Sequence, residues 1–312
     1  MPATERRAEQ GPEAVQPMLR HDFRSIQKLY GDQRSADRLI AHYQVEVVLA
    51  EKLRRSSREA RNRTYREVYS DLFKKLSDHP RHTRAHDSRR TDVAKLIRIV
   101  GRFIKPADRV LEIGAGDAEL SRNICDCAHS VVAVDVDDAL ADTGTAPRNF
   151  RYLLSDGIAL PLPDASISLA VSNQLLEHIH PDDTLAHLKE VHRILAPGGR
   201  YLIMTPNAIC GPHDVSRYFD RLARGMHLRE FDAEMIRACL HNAGFTRLVF
   251  YAARGGYLFF SMPYWLAHGL DLAFSLVPSS LHTLIVRNKL TRALLGLTVV
   301  AYKQTYGEIV VE

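Results

Sequence analysis

The chain is predicted to be an α/β protein on a mostly parallel sheet, and three observations carry that prediction. Short apolar runs alternate with stretches of helical periodicity from about residue 90 to residue 252, the signature of repeated strand-helix units. The first run, Val110-Leu-Glu-Ile-Gly-Ala-Gly-Asp-Ala-Glu-Leu120, passes directly into Gly114 and Gly116, with Glu112 just before them. A second run, Val131-Val-Ala-Val134, closes on Asp135 about twenty residues later.

Read from the amino terminus, residues 1–30 are rich in Ala, Glu, Gln, Arg and Pro without sustained periodicity and predict a poorly ordered tail. Residues 31–87 predict a helical extension. Leu39, Ile40, Tyr43, Val47 and Val48 suit a helix from Ala36 to Leu53, and Ser56-Ser57-Arg58-Glu59 reads as a capping box for a second one running to Leu76. Tyr65, Tyr69, Leu72, Phe73 and Leu76 share one face of it, a spacing that marks a packed side rather than a nucleic-acid surface. The core is placed at 88–252, opening with a helix from Thr91 to Lys105 that packs on the sheet.

Within that core Val110 to Ile113 is the first strand, and Glu119 onward opens a helix. Phe150 to Leu154 is the third strand, ending at Ser155-Asp156-Gly157, and Ile167 to Val171 is the fourth, leading to Asn173-Gln-Leu-Leu-Glu-His178. A helix from about Asp182 to Leu195 stops at Pro197-Gly198-Gly199, and Arg200 to Met204 is the fifth strand. Asp232 to Ala243 is a helix, followed by a strand from Thr246 to Tyr251. Residues 253–312 predict an apolar helical cap and a last strand, Leu295 to Tyr302. The apolar segment 257–277 is interrupted by Pro263, His268 and Asp271, so a lid, a dimer contact or a peripheral membrane foot suits it better than a span.

The glycine turn narrows the ligand. Gly114-Ala-Gly116-Asp-Ala-Glu119 lacks the third glycine that seats a helix beside a pyrophosphate, which disfavours a dinucleotide. No lysine followed by serine or threonine closes the turn, which excludes a nucleotide-triphosphate loop. What remains suits a cofactor with a ribose and a cationic amino-acid tail but no phosphate. S-adenosyl-L-methionine fits that description.

The ordered set of motifs resembles the class I S-adenosylmethionine-dependent methyltransferases, in particular the branch that includes the ubiquinone-pathway O-methyltransferases. It consists of Glu-x-Gly-x-Gly at 112–116, Asp135, Ser155-Asp156-Gly157 with Leu160-Pro161, Leu176-Glu-His178, Leu195-Ala-Pro-Gly-Gly199 and Thr205-Pro-Asn207, and covers residues 90 to 252. The helical extension is similar to one on some bacterial methyltransferases. The resemblance implies a Rossmann-like seven-stranded sheet whose last strand inserts antiparallel beside the sixth. It also implies that Glu112, Gly114 and Gly116 meet the methionine moiety, Asp135 the ribose, and Asp156 with Gly157 the adenine, and Ala115, Val136 and Asn173 are counted with them as cofactor-binding residues. Two departures stand out: Ala118 replaces the usual third glycine, and Ile167-Ser168 replaces a frequent Phe-Asp, removing an acid there.

Composition fits an enzyme rather than a fibre or a span, with 312 residues, 46% hydrophobic content and a net charge of +5. Residues 1 to 105 hold 24 Lys or Arg against 14 Asp or Glu, whereas the rest is acidic overall, 18 against 23. A basic front end motivates the alternative reading, a nucleic-acid-directed methyltransferase or RNA-binding module. Against it, Ser172-Asn-Gln-Leu supplies no Asn/Asp-Pro-Pro-Tyr run after the fourth strand, so nucleic acid is the disfavoured partner and a small-molecule or glycan acceptor the favoured one. Four cysteines without a disulfide framework, and no cleavable leader before residue 35, point to a cytoplasmic setting with membrane association left open by the apolar segment. Cys125-Asp-Cys127 with His129 ends the helix after the glycine turn, so packing rather than metal is expected of it, and no metal site is predicted.

Methyl transfer from a sulfonium is an in-line displacement, so alignment dominates and a base is needed only when the acceptor holds its proton. A hydroxyl needs one; a neutral amine or a carboxylate does not. Glu177 and His178 follow the fourth strand, and His227 lies in the loop after the fifth, both on the side where substrates of parallel sheets bind. His178, His227 and Glu177 are therefore the candidate catalytic residues for O-methylation of a small-molecule, saccharide or lipid-linked acceptor.

Overall fold

The computed structural model describes residues 17–79, 86–137 and 146–305. Its strands are β1 (Arg109–Ile113), β2 (Ser130–Asp135), β3 (Phe150–Leu154), β4 (Ile167–Asn173), β5 (Leu195–Thr205), β6 (Arg247–Arg254), β7 (Tyr257–Met262) and β8 (Leu297–Tyr302). They form one sheet in the order β3-β2-β1-β4-β5-β8-β6-β7. The first five pair in parallel, and β8 inserts antiparallel between β5 and β6.

The sheet has eight strands where the sequence predicts seven. The additional one, β7, comes from Tyr257-Leu-Phe-Phe-Ser-Met262, the opening of the segment expected to be a helical cap, and pairs antiparallel with β6. Gly255 and Gly256, both at positive φ, turn the chain back on itself, and Pro263 separates the strand from the helix after it.

The helices are α1 (Phe23–Tyr30), α2 (Ala36–Arg54), α3 (Arg58–Lys75), α4 (His86–Val100), α5 (Glu119–Asn123), α6 (Thr184–Ile194), α7 (Ala233–Asn242), α8 (Tyr264–Ser275), α9 (Ser279–Ile285) and α10 (Lys289–Leu294). The tail expected over 1–30 is thus partly helical. Gly31, in the left-handed conformation at φ 67°, closes α1 by returning its N–H to the Gln27 carbonyl, and Ile26 packs with Leu39, Val215 and Tyr218. Residues 1–16 of that expectation lie outside the described residues. Ser57 does stand at the cap of α3, but its hydroxyl makes no cap bond, whereas Ser35 accepts from the Arg38 N–H at the start of α2. The helix expected from Thr91 begins earlier, at His86, and gives way to turns before Lys105.

Both faces of the sheet are covered, which is why its central strands read as near-continuous apolar runs. On one side Leu111, Ile113 and Val134 pack with Leu188 and Val191 of α6 and with Ile236 and Leu240 of α7. On the other, Val110, Val131 and Leu169 pack with Ile99 and Val100 of α4 and with Leu120 of α5; Cys125 belongs to this layer.

At the amino end of the strands a buried ion pair ties β1 to β5. Arg200 Nη2 lies 2.5 Å from Asp108 Oδ2, and Ser168 Oγ donates to the other carboxylate oxygen at 2.7 Å while accepting from the Arg109 N–H at 2.9 Å. Ser168, the departure from Phe-Asp, therefore works at the end of the sheet where β4 begins. Burial opposes the Asp108 charge, but the bonds from Arg200, Ser168 and the Lys105 N–H outweigh it and hold its pKa below the usual carboxylate range. Asp108→Ala strands the buried guanidinium and should cost about 3–5 kcal/mol in a urea titration. Because the folded pKa is the lower one, the wild-type contribution is complete above the unfolded value and fades as pH falls through the folded value. The stability gap between wild type and variant should therefore narrow in acid.

The extension is a packed unit rather than a basic arm. Leu49 and Leu53 of α2 and Val68, Leu72 and Leu76, from α3 and its C-cap, enclose a core with Met226 and Leu228. Its cations are largely engaged: Arg58 and Arg61 with Asp183, Arg34 with Asp32, Arg38 with Asp78, Lys52 and Arg63 with Glu67, and Arg55 with Glu51.

Candidate active site

The carboxyl ends of β1, β2, β3 and β4 open into a cleft of about 430 Å³, within the usual size of small-molecule sites. Gly114, Gly116, Asp135, Val136, Asp156, Gly157 and His178 line it together. Gly114 sits at φ 74°, and a Cβ there would meet Leu175 Cδ1 at 2.9 Å, so glycine lets the turn pass under the loop after β4 without displacing that side chain. Gly116, at φ 55°, has open space where its Cβ would stand. That space leaves the backbone bare toward the cleft. Ala118 holds the third motif position in the left-handed conformation, φ 54°, at a cost of roughly 1–2 kcal/mol.

Asp135 organises the turn. One carboxylate oxygen accepts from the Gly116 N–H at 2.7 Å and the other from the Val136 N–H at 2.7 Å. Asp156 accepts from the Ile158 and Ala159 N–H groups at 2.9 and 3.1 Å, and Asn62 of α3 reaches its second oxygen at 3.4 Å. His187 of α6 supports the same turn, donating from Nδ1 to the Gly157 carbonyl at 2.6 Å. Burial pushes His187 down to about 4, so the ring is neutral.

Glu112, Ala115 and Asn173 do not line the cleft. Glu112 stands behind the turn, where Oε2 accepts from the Ser121 N–H at 3.0 Å and from its hydroxyl at 2.5 Å. Burial pushes its carboxyl up to about 7, against the pull of those two bonds. Gln174, at φ 53°, and Leu175 occupy the cleft wall beside Asn173.

The candidate catalytic residues converge. Glu177, His178 and His227 each bring a ligand atom to within 4.8 Å of the others, a set that could hold a divalent cation although the sequence predicts none. His178 donates from Nδ1 to the Met226 carbonyl at 2.9 Å, which leaves Nε2 as the acceptor nitrogen, and its ring meets that of His227 edge-on at 4.9 Å. His227 Nδ1 lies 2.6 Å from Glu230 Oε1, which also accepts from the His213 N–H at 2.7 Å. Burial works against a charge on His227, but the Glu230 hydrogen bond and the fields of Glu177 and Asp214 outweigh it and raise its pKa above the ordinary value. Glu177 is fully buried and accepts from Thr205 Oγ1 at 2.9 Å; burial raises its pKa, with His227 opposing.

Sequence reasoning missed two parts of the site. Glu230 stands three residues after His227 in Met226-His-Leu-Arg-Glu-Phe231, a spacing that could have suggested the pair. The other is the roof: Tyr65, Tyr69, Ser70, Phe73 and Lys74 of α3 line the cleft. The Tyr65 hydroxyl donates to the His178 carbonyl at 3.0 Å and accepts from the His180 N–H at 2.7 Å, fixing the helix to the loop after β4. Tyr65→Phe strands that buried N–H and should cost about 1–3 kcal/mol, read as a lower denaturation midpoint with an unchanged slope.

Residues 59–249 match the family model described as "Methyltransferase domain", more than half of the chain. The chain belongs to the class I S-adenosylmethionine-dependent methyltransferases. Its cofactor is S-adenosyl-L-methionine. The cleft fits that molecule: an open cradle at Gly116, a carboxylate at the end of β2 and no phosphate-binding lysine in the turn. A protein of Mycolicibacterium smegmatis named a probable S-adenosylmethionine-dependent methyltransferase is 36% identical over 138 residues, 44% of this chain and 51% of that one. The mouse eEF1A lysine and N-terminal methyltransferase is 27% identical over 122 residues, 37% of this chain and 18% of its own. The alignments thus span about half, or less, of these curated relatives. A solved S-adenosylmethionine-dependent methyltransferase from Mesorhizobium loti superposes with a TM-score of 0.45 at 17% identity, covering 67% of this chain and 98% of that one.

Proposed function

We propose that this methyltransferase acts on a hydroxyl of a small-molecule, saccharide or lipid-linked acceptor, and that the His178–His227 pair receives the hydroxyl proton. The observation that carries the reading is the pair itself. One imidazole stands in the cleft wall, and the second packs against it with a carboxylate 2.6 Å from its Nδ1. S-adenosylmethionine supplies an electrophilic methyl group when bound. The protein's remaining tasks are to hold the acceptor in line, exclude water and take up one proton.

Each residue has a part in this reading. Gly114 and Gly116 admit the methionine moiety against bare backbone, Asp135 takes the ribose hydroxyls, and Asp156 with Gly157 meets the adenine. Glu112 acts from behind the turn, where it holds the Ser121 N–H and hydroxyl at the start of α5. Tyr69 and Phe73 cover the cleft from α3 and supply an apolar roof. Glu230 keeps the His227 proton on Nδ1, so that Nε2 is the basic nitrogen, the division of labour of a carboxylate-histidine pair.

An acceptor screen with radiolabelled S-adenosylmethionine tests the reading. Label should enter hydroxyl-bearing acceptors, and His178→Ala and His227→Ala should both suppress it. Label on lysine or amino-terminal amines, the acceptors in the mouse relative's name, with both variants at the wild-type rate, would overturn it.

A further inference from the structure

The outward side of α8 is apolar where a helix packed on a sheet ordinarily carries charge. Trp265, Leu272 and Leu276 follow one another at helical spacing on one side of it, and Trp265 and Leu276 are 69% and 85% exposed. The acid of this helix points inward. Asp271 is buried and accepts from Asn207 Nδ2 at 2.8 Å and from the Ala233 N–H at 2.9 Å. Leu281 and Leu284 of α9 and Leu290 of α10 carry the exposed apolar surface onward.

Within this segment the exposed charge has one sign, and the nearby Glu234 carboxylate of α7 is taken up by Arg237 and the Tyr264 hydroxyl. Between Gly255 and Leu297 the charged residues are Asp271, Arg287, Lys289 and Arg292, so with Asp271 buried what is left is cationic. Arg287 and Lys289 are exposed. Neither they nor Arg292 form an ion pair among the described residues, and Arg292 Nε is buried without an acceptor there. Arg254 of β6 lies near enough to feel it: burial first, and then the Arg292 charge, lower its pKa. Beside α9 a pocket of about 190 Å³ is lined by Arg20, Arg217, Arg221, Tyr30 and, from α9 and its C-cap, His282 and Val286. Arg20 is held by Asp22, whereas Arg217 stacks on Tyr30, 4.0 Å from the ring centroid.

An apolar face with a tryptophan, the exposed cations Arg287 and Lys289 and an arginine-lined pocket together match an anionic bilayer, which offers an apolar interior and phosphate headgroups at its rim. A second copy of the chain matches it less well, because two such faces would bring like charges together. The neighbouring sheet edge is also poorly suited to pairing, since the register of β7 against β6 slips by one residue near Phe259. No helix among the described residues is long and apolar enough to cross a membrane, and α8 has only 12 residues.

We propose that α8, α9 and α10 form a monotopic foot that rests on an anionic phospholipid surface, with a headgroup phosphate seated in the pocket of Arg217, Arg221 and His282. Flotation of the full chain with phosphatidylcholine vesicles, with and without phosphatidylglycerol, tests this. Wild type should float with the anionic vesicles and bind the neutral ones about tenfold or more weakly, with binding reduced by salt. The double variants Leu272→Glu/Leu276→Glu and Arg287→Glu/Lys289→Glu should each lose about tenfold or more of that binding, while retaining the wild-type melting temperature and S-adenosylmethionine affinity. Equal binding to both vesicle types, or variants that float like wild type, would overturn the proposal. So would a wild type that floats with neither and forms a dimer that Leu272→Glu/Leu276→Glu dissociates, which would assign the face to a second copy.

Discussion

Replacing Asp135 by Ala should weaken S-adenosylmethionine binding by at least about tenfold in calorimetry. Two losses combine in that variant. The carboxylate that now faces the cleft can no longer accept from ribose hydroxyls, and the Gly116 and Val136 N–H groups lose acceptors at 2.7 Å. Hydrogen bonds to a charged group are worth about 1.5–3 kcal/mol each, so one lost ribose bond alone accounts for roughly a tenfold effect. Asp135→Asn separates the two causes, since the amide oxygen can still serve one N–H while the charge is gone. An intermediate affinity is expected for it. Wild-type affinity in Asp135→Ala would contradict the ribose role.

Removing either imidazole of the His178–His227 pair should lower turnover by about 10²–10⁴-fold, the usual worth of positioned acid-base groups, with cofactor affinity nearly intact. The pH profile carries the sharper signature. Glu230 and Glu177 raise the pKa of His227, so the neutral, proton-accepting form prevails only above that raised value. Turnover should therefore climb with pH through a point higher than an ordinary histidine would give. Glu230→Gln removes the carboxylate 2.6 Å from Nδ1 and should move that limb toward acid. A limb that stays in place would remove His227 from the proton path.

The parallel half of the sheet was legible because both of its faces are covered. Val131 to Val134 is a continuous apolar run, and Val110 to Ile113 and Ile167 to Val171 are each interrupted once, at Glu112 and Ser168; Gly114, Asp135 and Asn173 stand where these strands end. β7 was not, because Tyr257-Leu-Phe-Phe-Ser-Met262 lacks a period-2 alternation and merges with the equally apolar α8. α1 spans only 8 residues, too few to sustain a readable period, and is held by contacts with Val215 and Tyr218, nearly two hundred residues away.

The site shows the same division. Residues at strand ends could be placed from local pattern, because the pattern of a strand fixes where its last side chain stands. The roof could not. Tyr65, Tyr69 and Phe73 have the helical spacing of a packed face, and α3 does pack, yet that face also covers the cleft. Long-range links, from Tyr65 to the loop at His178 and His180 and from Arg58 and Arg61 to Asp183, decide where the helix lies. The approach of His227 to His178 is likewise set by the path of the loop after β5, which no local period encodes.

A crystal soaked with S-adenosylhomocysteine, the demethylated product, tests the central claim most directly. The account predicts density in the cleft with the ribose hydroxyls on the Asp135 carboxylate, the adenine beside Asp156 and Gly157, and the sulfur facing the wall that holds His178. A cleft without ligand, empty or closed by the rings of Tyr69 and Phe73, would contradict it.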